Sequence, residues 1–397
     1  THNHTVLAAD TTTTVITGPD PSAFGQPVVL TATVAPVAPG TGVPTGTLTF
    51  TVNGGPLITV PVEVNGTATT TLTTLPTGTR TITATYNAED PNYNPSNGTT
   101  THTVNQAATE TAVNSTPHPS TLGQLVTFSA TVTPVPPGAG TPTGTVTFVI
   151  DGGPTLTASL DSDGTATVAT AALGVGSSPV TATYNGTTDF ATSAGSTVHT
   201  VDRAPTTTTV TTSPDPSLFG QNVTFTATVA PVPPGAGTPT GTVTFLVDGG
   251  AGGTFTVPLV GGVATASTST LGIGPHVISA VYSGDAGFAT STGADTHQVD
   301  RTPTTTTVTS SPNPSRAGLI ATFTATVTPN PPGTGTPTGT VTFVIGNDTL
   351  TAALVNGVAT VTDRLGTGVY TVTATYSGDA QFAPSTGTHL HEVIPAS

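Results

Sequence analysis

The segment Pro-Thr-Gly-Thr begins at Pro44, Pro142, Pro239 and Pro337, in steps of 98, 97 and 98 residues. An aromatic landmark, Ala-x-Tyr, ends at Tyr86, Tyr184, Tyr282 and Tyr376, in steps of 98, 98 and 94. A third signature, His-x-Val, closes each unit at His102, His199, His297 and His391. Internal repetition at a fixed period constrains a fold more tightly than any local propensity, because each copy must bury its own core within its own length. The chain is therefore expected to form four tandem domains of one kind.

Within a unit, alternation of apolar and polar residues between turn signals predicts strands. In the third unit, strand A is Thr206 to Thr212, and strand B carries Val223, Phe225, Ala227 and Val229. After a Pro-Gly loop, Val243, Phe245 and Val247 form strand C, followed by strand D at Phe255 to Leu259 and strand E at Val263 to Thr268. Ile278, Ala280 and Tyr282 mark strand F, and Thr296 to Val299 strand G. Seven short strands in about 100 residues indicate a two-sheet sandwich. Its core positions recur as Phe50, Phe148, Phe245 and Phe343 on strand C, and as Val132, Val229 and Val327 on strand B. No helix is predicted.

Composition agrees and excludes much else. Thr makes up a quarter of the 397 residues, so outward strand faces keep β propensity and present hydroxyls to water. Charged residues are only 6% of the chain, with 5 Lys+Arg against 20 Asp+Glu, and the cations are Arg80, Arg203, Arg301, Arg316 and Arg364. So few cations exclude binding to a nucleic-acid backbone. The absence of Cys excludes disulfides, thiol catalysis and Cys-based metal centres. No apolar run reaches the roughly 20 residues needed to span a bilayer, so no membrane insertion is expected.

The endings Tyr282-Ser283-Gly284-Asp285-Ala286-Gly287-Phe288 and Tyr376-Ser377-Gly378-Asp379-Ala380-Gln381-Phe382, the Thr-Thr-Thr-Thr-Val openings and the Pro-Thr-Gly-Thr-Val-Thr-Phe segment resemble the bacterial Ig-like repeat domain family. The resemblance spans all four units. It implies an all-β chain of four tandem seven-stranded Ig-like β-sandwiches, secreted or surface-exposed, of the kind used in stalks and adhesin shafts. It brings no shared active site. Repeat 1 departs at Asn87-Ala88-Glu89-Asp90-Pro91-Asn92-Tyr93, and repeat 4 has Gly318-Leu319 where the others have Gly-Gln. The domains are expected at 10–105, 106–202, 203–300 and 301–397, with 1–9 matching the closing strand of an upstream repeat.

The closing Val of one repeat lies nine residues before the Val of the next strand A, as Val104 to Val113, Val201 to Val210 and Val299 to Val308. Short, equal linkers, two of them stiffened by Pro205 and Pro303, predict an elongated rod with neighbour-only contacts. By the same ruler His4-Thr5-Val6 matches a closing signature, so Thr1, His2, Asn3, His4, Thr5 and Val6 read as an orphan strand. It either continues an array or docks into a neighbouring molecule by strand addition.

Other candidate sites are weighed by position. The four closing His lie one domain apart and read as packed strand residues, with a pH-sensitive junction as the alternative. His389 and His391, like His2 and His4, have a spacing that two metal ligands could use, though two ligands make a weak site. Asp202, Asp300 and Asp285, with Asp379, are the residues that could gather calcium, but too few oxygens are evident and no cofactor is expected. Asp161-Ser162-Asp163-Gly164 reads as a hairpin turn. Paired catalytic carboxylates, a nucleophile elbow and a phosphate cradle are all missing, so no enzymatic activity is expected. The expectation is an extracellular structural protein, a shaft or filament subunit whose partners are its own neighbours. The alternative is an adhesin that recognises a cell-surface glycan or protein through loops, with Tyr93 and Phe255 as contact candidates.

Overall fold

The computed structural model describes residues 5–53 and 55–396. The chain divides into two compact units, residues 1–202 and 203–397, each holding two sandwiches. Repeat 1 is built from β1 (Thr11–Gly18), β2 (Ser22–Ala23), β3 (Val28–Pro36), β4 (Gly46–Val52), β5 (Ile58–Pro61), β6 (Thr67–Leu72), β7 (Gly78–Ala88) and β8 (Ser96–Asn105). One sheet has the order β1-β3-β6, and the facing sheet has the order β2-β8-β7-β4-β5. The same two sheets recur in the repeats that run from Thr109–Thr116 to Ser193–Asp202, from Thr206–Ser213 to Ser291–Asp300, and from Thr304–Ser311 to Ser385–Ile394.

Alternation sets the core, because successive side chains of a strand point to opposite sheet faces. On β3, Val28, Leu30, Ala32 and Val34 face inward and are buried, as are Leu48 and Phe50 of β4 and Ile82, Ala84 and Tyr86 of β7. The four strand-C phenylalanines and the strand-B valines anticipated from the repeat are all buried. Burying one such side chain contributes about 1.5–3 kcal/mol. The predicted strand D follows a short turn after strand C and pairs antiparallel with it, so Phe255 stands opposite Phe245 at the free edge of the five-stranded sheet.

Two features go beyond the alternation. A two-residue strand, Ser22–Ala23 in repeat 1, pairs parallel with the last strand at Val104 and Asn105, and recurs at Ser120–Thr121, Ser217–Leu218 and Ser315–Arg316. The inward face of the first strand is also partly polar: Thr11, Thr13, Thr208, Thr304 and Thr306 are buried. Buried hydroxyls need partners, and those partners form the site described next.

Candidate functional site

The first strand of every repeat lies in one sheet and the last strand in the other, and a polar seam joins them. Thr11 and Thr13 both reach the Ser96 hydroxyl, at 2.7 and 2.8 Å. Thr109 and Thr111 meet Ser193, Thr206 and Thr208 meet Ser291, and Thr304 and Thr306 meet Ser385, all at 2.7–2.8 Å. Two residues past each Ser stands a glycine, Gly98, Gly195, Gly293 or Gly387, against which the first strand lies so closely that a Cβ would collide with the carbonyl of Thr13, Thr111, Thr208 or Thr306. The Ser-x-Gly and Thr-x-Thr pairs were visible in the sequence as recurrences, yet hydrophobic alternation gives them no role.

Further along the seam sits the closing His, at 0–1% exposure in all four repeats. Its Nε2 meets the hydroxyl of the short strand: Ser22 at 2.8 Å, Ser120 at 2.9 Å, Ser217 at 2.8 Å and Ser315 at 2.9 Å. Its Nδ1 meets a hydroxyl of the first strand: Thr17 at 3.1 Å, Ser115 at 3.1 Å, Thr212 at 3.3 Å and Ser310 at 2.9 Å. One imidazole thus ties three strands together.

The residue between two prolines that leads into the short strand completes the cluster, and it varies. Asp20 lies 3.4 Å from His102 Nδ1 and Asp215 lies 3.2 Å from His297 Nδ1. His118 occupies this place in repeat 2, with Nδ1 3.4 Å from Nδ1 of His199. Asn313 occupies it in repeat 4, where its amide instead meets His389 and the Leu390 carbonyl. A carboxylate only accepts, so the tautomer that suits repeats 1 and 3 has its hydrogen on Nδ1 and accepts at Nε2 from the Ser hydroxyl.

This is the order of a Ser-His-Asp relay, but Ser22 and Ser217, both in the short strand, are only 2% exposed. A nucleophile needs room for a carbonyl about 3 Å away and donors for its oxyanion. At 2% exposure the hydroxyls lack that room, and what the arrangement does in the fold is tie three strands together. Burial lowers the pKa of His199, His297 and His391; His118 and His389 lower those of His199 and His391 further, while Asp215 opposes the shift in His297.

The Tyr-Ser-Gly-Asp loop explains Asp285 and Asp379. Asp285 accepts from the Thr240 amide at 2.8 Å, the Thr240 hydroxyl at 2.5 Å, the Gly287 amide at 2.7 Å and the Phe288 amide at 2.8 Å. Asp379 does the same with Thr338, Gln381 and Phe382. Burial acts to raise both carboxyls, yet these donors hold each down to about 2. The loop is thereby stapled to the Pro-Thr-Gly-Thr segment, which accounts for the co-recurrence of the two motifs. Repeat 2 has Thr187 in this place, with longer contacts of 3.4 and 3.3 Å to the amides of Asp189 and Phe190.

The stapled loop presents an aromatic ring to the preceding repeat of the same unit. Phe24, just after the short strand of repeat 1, meets Phe190 edge-on at 5.3 Å, and Phe219 meets Phe382 at 6.0 Å. The Ala139 amide donates to the Phe24 carbonyl at 3.1 Å and Thr77 Oγ1 to Asp189 Oδ1 at 2.9 Å. In the second unit, the hydroxyls of Thr302 and Thr334 donate to the carbonyls of Phe219 and Gly220, at 2.9 and 3.0 Å.

The remaining candidate residues are placed as follows. Tyr93 takes the position of Phe190 in repeat 1, half-buried, with its hydroxyl on the Thr41 carbonyl at 3.0 Å. Phe255 is half-buried and packs edge-on against Phe225 at 6.1 Å. The side chains of Asp202 and Asp300 are exposed, and their carbonyls accept from the amides of Leu122 and Phe219. Asp161 caps its turn through the amides of Asp163 and Thr165, both at 2.9 Å. Among the described residues no group of three or more His, Cys, Asp or Glu is placed to hold a metal ion. Of the proposed orphan strand, Thr1, His2, Asn3 and His4 lie outside the described residues, and Thr5 and Val6 are exposed chain without strand pairing. Repeat 1 also has an apolar groove of about 390 Å³ walled by Val52, Pro56, Ile58, Leu72 and Leu75, with Arg80 at its rim.

The family model described as Bacterial Ig-like domain (group 3) matches residues 13–105, 113–202, 210–300 and 308–394. No curated protein matches the chain. Among solved structures, a tetra-tandem repeat from the extending region of a large adhesion protein is 19% identical, covers 98% of this chain and 100% of its own, and has a TM-score of 0.34. The Escherichia coli adhesin FdeC is 14% identical over 74% of this chain and 98% of its own, with a TM-score of 0.25. Fibronectin(III)-like modules of Clostridium thermocellum CbhA are 15% identical over 46% of this chain and 94% of theirs, with a TM-score of 0.19.

Proposed function

Because the chain belongs to the bacterial Ig-like domain family, group 3, we propose that it is a non-catalytic structural protein of the cell exterior, a shaft or filament segment in which the four sandwiches are spacers. The observation that carries this reading is the seam. Tension along such an array enters each domain at its first strand and leaves at its last, and those two strands are bound to each other in every repeat. The short strand pairs parallel with the last one, so a pull on the two ends loads its hydrogen bonds in shear, all at once. Aromatic junctions within each unit, 5.3 and 6.0 Å between ring centres, support a stack that resists bending.

Pulling single chains tests this directly. Four unfolding events are expected, each releasing about 300 Å of contour from a repeat of about 97 residues. Solution scattering should report an extended particle. Repeats that extend without resolved force peaks, or a folded-back globule in scattering, would defeat the proposal. A second reading, recognition of a glycan or protein through loops, is favoured by the Leu-lined groove of repeat 1 and by Tyr93 beside Thr41. It predicts surface or array binding that repeat 1 alone retains.

A further inference from the structure

We propose that the seam is an acid-sensitive latch tuned repeat by repeat: repeats 2 and 4 release their first strand on mild acidification more readily than repeats 1 and 3. The latch is the buried His between its two hydroxyls, the same in all four repeats, and the tuning comes from what faces it.

Around His199 stand Ser115 of the first strand, Ser120 of the short strand, Ser178 opposite on the neighbouring strand, the Phe128 ring at a T-shaped centroid distance of 5.6 Å, and His118 from the turn. Among the described residues no carboxylate faces it. Around His391 stand Ser310, Ser315, Tyr370 opposite, the Phe323 ring at a T-shaped centroid distance of 5.0 Å, and His389 on its own strand. The Ser310 hydroxyl bridges the two imidazoles at 3.0 and 2.9 Å, and the charged neighbours Arg316 and Glu392 are exposed. Each of these buried His faces a second imidazole, directly in repeat 2 and through the Ser310 hydroxyl in repeat 4. Protonating both sets two cations and two N–H donors against each other, across 3.4 Å in repeat 2 and across one hydroxyl in repeat 4.

Repeats 1 and 3 answer acid differently. Asp20 and Asp215 face the Nδ1 of His102 and His297, and Asp295 stands two residues before His297 with its carboxylate on the Thr212 hydroxyl at 3.3 Å. Opposite these histidines on the neighbouring strand are Arg80 and His276. Arg80 is turned to the carbonyls of Pro76 and Thr77, and His276 to Asp248 at 2.7 Å. The buried imidazole of repeats 1 and 3 therefore faces a carboxylate where repeats 2 and 4 offer a second imidazole, and a carboxylate there favours the closed latch in acid.

The direction follows from linkage. A His that binds its proton more weakly folded than unfolded contributes stability that is whole above the unfolded value, about pH 6.5, and that falls as pH drops below it. One linked proton changes the opening equilibrium about tenfold per pH unit. Burial lowers the pKa of His199, His391 and His297 alike; a second imidazole adds to the shift in repeats 2 and 4, whereas Asp215 and Asp295 work against it in repeat 3, so the order rests on which group faces the buried ring.

The test is amide hydrogen exchange on the full chain at pH 7.5 and pH 5, corrected for intrinsic rates and read on the four first strands. Opening of Thr109–Thr116 and Thr304–Ser311 should rise about tenfold or more on acidification, with Thr11–Gly18 and Thr206–Ser213 changing much less. His118→Asp, at an exposed turn position, should make repeat 2 acid-resistant, and Asp215→His should make repeat 3 acid-labile. Equal acid response in all four repeats, or a response of repeat 2 that His118→Asp leaves unchanged, overturns the proposal.

Discussion

Replacing Asp285 by Thr gives the third repeat the residue that the second already carries at Thr187, and so asks what the carboxylate contributes. Asp285 accepts four hydrogen bonds from Thr240, Gly287 and Phe288. Its carboxyl is held from an ordinary 3.8 down to about 2, a difference worth about 2.4 kcal/mol if fully realised in stability. The loop is partly solvated, so roughly half is the reasonable figure, about 1.2 kcal/mol or a sevenfold change in opening. The sign is fixed: a depressed carboxyl contributes fully above its unfolded value near 3.9 and loses that contribution as pH falls toward 2. Amide exchange at Gly287 and Phe288 in the full chain should therefore speed up about five- to tenfold in Asp285→Thr at pH 6. The gap between variant and parent should close as pH approaches 2. An unchanged exchange rate at pH 6, or a gap that persists undiminished in acid, would show that the staple is not electrostatic and refute the reasoning.

Other substitutions separate the remaining contacts. Gly293→Ala drives a methyl into the Thr208 carbonyl, so chemical denaturation of repeat 3 should show a loss of about 1–3 kcal/mol while the other repeats stay put. Tyr86 donates to the Thr45 carbonyl at 2.6 Å. Tyr86→Phe should thus cost about 1 kcal/mol in the same assay. Phe24→Ala should raise amide exchange at Asp189 and Phe190 by weakening the first junction, without unfolding either sandwich. Burial acts to lower the pKa of His276, but Asp248 and the Gly272 carbonyl outweigh it, so the net shift is upward. Its stabilising contribution is complete below about pH 6.5 and fades as pH rises through the folded value. An imidazole titration by NMR should move down in Asp248→Asn.

The architecture was open to reading because its determinants are local and repeated. Val223, Phe225, Ala227 and Val229 alternate with polar residues, and four copies of that pattern leave little freedom in register. The seam was harder to see. Thr206-Thr207-Thr208-Thr209 offers no contrast between faces, so the burial of Thr208 follows only from the nearness of Ser291 and Gly293, more than 80 residues away. The two-residue strand at Ser217–Leu218 is shorter than any periodicity can register. Asp285 illustrates the converse: two motifs noted separately, Pro-Thr-Gly-Thr and Tyr-Ser-Gly-Asp, are halves of one staple. The Gly-Gln pair resolves similarly, since Gln26, Gln124 and Gln221 each accept from the backbone three residues back. In repeat 4, where Leu319 cannot, Arg364 binds the Gly318 carbonyl at 2.7 Å.

The scarcity of charge acquires a physical meaning at the seam. Two sheets could be joined at their edge by ion pairs, but exposed pairs contribute little and weaken as salt screens them. Here the joint is made by Thr, Ser and neutral His hydrogen bonds, packed where water does not compete, and the carboxylates nearby are spent on backbone amides at fixed distances. Such bonds depend on proton activity far more than on ionic strength. Raising salt from low to molar concentration should therefore leave seam protection nearly unchanged. A fall in protection that tracks salt rather than pH would mean that the seam is held by long-range charge, which its residues do not supply.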